Sequence, residues 1–123
     1  MIATAPAAPT LGMTPGQAIE ALRRDLGLTM KDLQAVLDTT PRNIERWISE
    51  QAHPQTKARQ RLADLMEFHR HLGAMFTAWE GARDWLAAPS RYLGGLTPLE
   101  AIRAGRLDRA RAALMALDAG VYL

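Results

Sequence analysis

The chain of 123 residues contains no cysteine. That absence removes disulfide scaffolds, thiolate zinc sites and cysteine nucleophiles together. Net charge is also scarce: 15 basic against 13 acidic residues leave +2, too slight an excess to argue for nucleic acid by itself. Long apolar runs are missing, since nothing approaches the ~20 residues that span a bilayer. Met1 to Gly12 lack a basic n-region and a continuous apolar h-region, so they do not read as a secretory signal, and the cytoplasm is the expected location. Of the three histidines, His69 and His71 are two apart and project to different faces of a helix, so they cannot share a metal. Both are expected at the surface or its boundary. No acid is placed to orient either one, and neither His-Glu-x-x-His nor a carboxylate-rich loop occurs. The diglycine Gly94-Gly95 fits neither a Walker pattern nor Gly-x-Gly-x-x-Gly; freedom for a sharp reversal explains it. Glu80, Asp84 and Glu100 sit among arginines in the pattern of solvated ion pairs. The reading is therefore a binding protein and not an enzyme, with no cofactor and no metal.

What is present is helical patterning. About half the residues are hydrophobic, 48%, which suffices for one domain or two very small ones sharing a core. Residues 1–13, uncharged and rich in Ala, Pro and Thr, read as a disordered arm. Thr14-Pro15-Gly16-Gln17 then supplies a cap, a proline at N1 and a capping-box glutamine, and Ala18, Ile19, Leu22 and Leu26 continue the stripe to Gly27. A second helix begins at Thr29 with Leu33, Val36 and Leu37 inward. After Asp38-Thr39, Thr40-Pro41 opens a third helix reaching about Gln51.

Two short helices joined by so short a turn predict a helix-turn-helix, whose second helix enters the major groove. Leu33, Leu37, Ile44 and Trp47 fill the positions it must bury. Gln34 stands where a small alanine is usual, and Asp38 where glycine usually makes the turn, a conformation aspartate tolerates. Thr40, Arg42, Asn43 and Arg46 lie on the outward side of the third helix. Arg and Asn are suited to bidentate contacts with guanine and adenine edges, and Lys57, Arg59 and Arg61 could hold phosphates. Glu45 and Glu50 on the same helix fit an ordinary solvated face instead.

A long helix is predicted from about Thr56 to Thr77. Leu62, Leu65, Met66, Leu72 and Phe76 form one apolar edge, and Phe68, Leu72 and Met75 a second, so it needs two neighbours. One is the helix-turn-helix. The other is either the same helix of a second copy, with Phe68, Leu72 and Met75 as a dimer interface, or the C-terminal unit. Ala78 to Ala88 is amphipathic, with Trp79, Ala82, Trp85 and Leu86 on one side, and Pro89 stops it.

The remaining stretch, Leu93-Gly94-Gly95-Leu96-Thr97-Pro98-Leu99-Glu100, is a turn followed by a full helix-start signal. Gly105 ends that helix. Leu107, Ala110, Leu114, Leu117 and Val121 stripe the last one. The Leu-Gly-Gly-x-Thr-Pro-Leu-Glu turn, the Ala104-Gly105 break and the terminal Gly120-Val121-Tyr122-Leu123 resemble the toxin-binding domain of Xre/MbcA/ParS-type antitoxins, a family that carries a helix-turn-helix ahead of it.

The resemblance implies an all-α chain: an arm over 1–13, a helix-turn-helix with its linking helix over 14–72, and a toxin-binding domain over 73–123. It also implies an antitoxin that inhibits a RES-domain toxin, NAD-consuming or ADP-ribosylating, and autoregulates its operon through operator DNA. A homodimer and a larger toxin–antitoxin assembly are expected, and no membrane. Toxin contact is expected from Arg103, Arg106, Gly120, Val121, Tyr122 and Leu123. A pocket for the NAD pyrophosphate needs cationic donors, and an arginine there would donate hydrogen bonds to the terminal carboxylate. Against this stand two alternatives: Val121 and Leu123 staple the last helix to its own core, and the chain is a stand-alone dimeric helix-turn-helix regulator.

Overall fold

Seven helices and no strand make up the described residues, 12–120, of the computed structural model. They are α1 (Pro15–Leu26), α2 (Met30–Leu37), α3 (Pro41–Ile48), α4 (Thr56–Met75), α5 (Trp79–Leu86), α6 (Pro98–Arg103) and α7 (Leu107–Asp118). The chain is all-α, as its sequence predicts. Residues 1–11 of the expected arm lie outside the described residues, while Met13 packs on the core.

Local chemistry sets the helix starts. Thr14, Thr29 and Thr97 each accept a hydrogen bond from the N3 amide, and the side-chain oxygens of Gln17, Asp32 and Glu100 accept one from the cap amide. These reciprocal pairs satisfy donors that a helix start leaves orphaned. Asp38 closes α2 in the left-handed region at φ 52°, its amide donating to the Gln34 carbonyl. α3 stops three residues short of Gln51: Glu50 turns left-handed at φ 62°, and the Gln51 and Ala52 amides both donate to the Arg46 carbonyl. At Gly105, φ 75°, the chain leaves α6 with the Arg106 amide bonded to the Ala101 carbonyl.

Packing is layered around α1, α2 and α4. α1 lies against α3, α4 and α5; α2 against α3, α4 and α6; α4 also meets α5 and α7, and α6 pairs with α7. One buried cluster runs from Ala18 through Trp47 and Phe68 to Leu114, without a break at residues 72 and 73. A second, small cluster of Leu93, Ala101 and Ala113 has Trp85 packed on it.

The two apolar edges of α4 are thereby assigned. Phe68 and Leu72 are 1% and 0% exposed within this single chain, in which α4 meets α1, α2, α5 and α7. Of the three residues expected at a dimer interface, Phe68 and Leu72 thus have no area left to bury against a second copy, and Met75 alone retains some. Met75 is half-buried and packs on the same core. No helix of the described residues is long and apolar enough to cross a membrane.

Candidate functional site

Two surfaces carry the side chains singled out from the sequence, at opposite ends of the chain order. On α3, Ile44 and Trp47 anchor the inner side in the core, and Arg42, Asn43, Glu45 and Arg46 are exposed. Thr40 accepts from the Asn43 amide at 3.2 Å, and the Asn43 carboxamide donates to Thr39 Oγ1 at 2.9 Å. Arg42 and Arg46, one turn apart, share one face, while Thr40 caps the helix and Asn43 is turned back toward its start. Arg42 and Arg46 line a shallow hollow with Glu45, Ser49 and Gln51. Lys57 is exposed one residue into α4, and Arg61 lies 3.7 Å from Asp38.

The position of α3 depends on a close helix crossing. Gly16 is buried on α1, and a Cβ there would lie 2.9 Å from both Cα and O of Ile48. The crossing brings backbone to backbone, so the orientation of α3 is tied to α1 directly.

At the other end, Arg103 and Arg106 are held by different carboxylates. Arg103 Nε donates to Asp32 Oδ1 at 2.8 Å, and Asp32 is 1% exposed. Burial would raise the Asp32 carboxyl above its ordinary range, but hydrogen bonds from Thr29 and Arg103 outweigh it and hold the pKa low. Arg106 instead grips Asp108 through Nε and Nη2 at 3.0 and 2.9 Å. Gly120 has φ 79° and open space where a Cβ would stand. Val121, Tyr122 and Leu123 lie outside the described residues.

Two polar junctions escaped the sequence reading. His69 does have an acid: its Nε2 is 2.8 Å from Asp25 Oδ2, and its ring stacks on Trp79 at 4.5 Å. Arg24 pairs with the same carboxylate, and Arg83 Nη1 donates to the Asp25 carbonyl at 2.9 Å. Burial opposes ionisation of Asp25, yet the hydrogen bonds from Arg24 and His69 leave its pKa below the ordinary value. His71 likewise meets Asp118 at 3.1 Å. The Asp25–His69 pair links α1 to α4 across 44 positions, and Arg83 and Trp79 add α5, distances no local pattern reveals. The Asp32 junction did leave a trace, because Thr29-x-x-Asp32 is itself a capping signature. Among the described residues no group of three or more His, Cys, Asp or Glu could hold a metal.

Comparison with known proteins accords with this arrangement. The C-terminal toxin-binding domain of Xre/MbcA/ParS antitoxins matches residues 71–120. Over 113 residues, 92% of this chain and 96% of the relative, the sequence is 31% identical to the mycobacterial cidal antitoxin MbcA of Mycobacterium tuberculosis, and equally to that of Mycobacterium bovis. A chain in the crystal structure of the M. tuberculosis MbcT–MbcA toxin–antitoxin complex superposes with a TM-score of 0.62 at 28% identity, covering 88% of this chain and 96% of that one.

Proposed function

Given that this chain belongs to the Xre/MbcA/ParS family of antitoxins, we propose that it binds and inhibits a RES-domain toxin that consumes NAD or transfers ADP-ribose. It acts in the cytoplasm as a protein inhibitor, with its C-terminal end in or near the toxin active site. The observation that carries this reading is the match of the toxin-binding domain over residues 71–120, which runs to the edge of the Val121-Tyr122-Leu123 tail. In this mechanism the side chains of Val121, Tyr122 and Leu123 fill the dry part of the cleft that holds NAD. Arg103 and Arg106 add the guanidinium donors not already bonded to Asp32 and Asp108.

The same chain represses its own operon. α3 enters the major groove with Thr40, Arg42, Asn43 and Arg46, while Lys57 holds a phosphate. The DNA-bound form is a homodimer within a larger toxin–antitoxin assembly, its two copies of α3 about 34–36 Å apart on a near-palindromic site. The inhibitory role is tested by mixing the chain with the RES-domain toxin of its operon and following NAD loss, with and without residues 121–123. Full neutralisation by a folded, shortened chain removes the tail from the mechanism.

A further inference from the structure

The Leu93-Gly94-Gly95-Leu96 reversal does more than change chain direction. Its backbone is tied to itself: the Ser90 carbonyl accepts from the Leu93 and Gly95 amides at 3.1 and 2.8 Å, and the Ser90 amide donates to the Leu96 carbonyl at 2.9 Å. Gly94 and Gly95 both have positive φ, 70° and 98°, and a Cβ at either would meet nothing within 4 Å. These glycines are required by conformation and not by crowding, and they leave the loop's outer backbone open to close approach.

What the loop displays is apolar. Tyr92, Leu96 and Met115 are the exposed large hydrophobics of the described residues, and this loop presents two of them, at 41% and 52% exposure. Leu93, between them, is buried with Ala101 and Ala113, and Trp85 packs over that cluster. The anchor belongs wholly to the segment matched by the toxin-binding domain, and Trp85, which packs against both clusters, ties it to the main core. An aromatic ring and a leucine held outward on a hydrogen-bonded loop meet two requirements of a tight contact, large apolar area and little ordering cost on binding.

We propose that the Tyr92–Leu96 loop is a preformed toxin-docking knob, its Tyr92 ring and Leu96 side chain entering an apolar recess on the toxin apart from the active-site cleft. The inference rests on the toxin-binding reading and adds a second contact to the one made by the tail. The test titrates full-length protein against the RES-domain toxin of its operon by calorimetry, using Leu96→Asp alone and Tyr92→Ser with Leu96→Asp. Each variant is expected to lose about tenfold or more in toxin affinity, with thermal midpoint and operator affinity unchanged. Parental affinity in folded Leu96→Asp overturns the knob while leaving the antitoxin reading intact. If the unaltered chain itself fails to bind the toxin, the antitoxin reading falls and the knob with it.

Discussion

A methyl group at position 16 would meet backbone, which cannot swing aside as a side chain can. Alanine is favoured over glycine in a helix by about 1 kcal/mol, but overpacking costs about 1–3 kcal/mol. With Ile48 Cα and O both 2.9 Å from the new atom, the steric cost is expected to win. Gly16→Ala should lower the melting temperature by several degrees and weaken operator binding by tilting α3; an unchanged or raised midpoint in a thermal melt would show that the crossing relaxes at no cost. Carboxylates argue at the same scale. Asp25, held by Arg24 and His69, and Asp32, held by Thr29 and Arg103, both have pKa values below the ordinary 3.8. A depressed folded pKa contributes stability that is fully present above the unfolded value and is lost as pH falls through the folded one. The melting temperature should therefore hold from neutrality to about pH 5 and decline below about pH 4. Asp32→Asn should be less stable at pH 7 and show a shallower acid decline, measurable by melts across that range. Of these residues, only Asp32 carries a local signal, its spacing from Thr29, which the helix pattern alone does not single out; the partners of Gly16 and Asp25 are set by tertiary packing.

Helix boundaries were the most readable elements, because a threonine, a proline and a returning side chain announce a start within four residues. Thr14, Thr40 and Thr97 each cap the helix whose proline follows. Ends were less readable where no glycine marked them: α3 stops at Ile48 through the left-handed turn of Glu50, and α4 stops at Met75 because Phe76 is extended. The doubled apolar edge of α4 was visible too, but not its partner, since periodicity says that a face is buried and not by what. For α3 the buried Ile44 and Trp47 fix which face looks outward. Replacing Arg42 and Arg46 by alanine should abolish sequence-specific operator binding, whereas Lys57→Ala should weaken all DNA alike and reduce the salt slope by about one. Fluorescence anisotropy over a salt series separates the two; parental affinity in both variants would exclude α3 as the reading helix.

Across the whole molecule, the continuous core bears on whether DNA contact and toxin contact are separable. The proposed boundary between residues 72 and 73 cuts a cluster in which Phe68 and Leu72 are buried along with Ala82, Leu86, Ile102 and Leu114. It would also strip α5 from α1, α6 from α2 and α7 from α4, and remove Arg103 from the buried carboxylate of Asp32. Domains of about 60 residues bury only about 60% of their unfolded surface and are marginal even when intact; this piece would have its α5-, α6- and α7-facing sides uncovered, and an unpaired buried acid is itself costly. A fragment of residues 1–72 is therefore expected to melt without a cooperative transition and to bind operator far more weakly than the full chain. Restoring residues 73–120 should recover both properties even without the last three residues, because the described core is complete by Leu117. A sharp transition of the short fragment near the full chain's temperature, followed by circular dichroism, would mean that the N-terminal helices carry a core of their own. Failure of the 1–72 fragment to fold alone would make α5 to α7 part of the foundation of the proposed DNA-reading surface, so that a toxin gripping those helices also grips the support on which α3 stands.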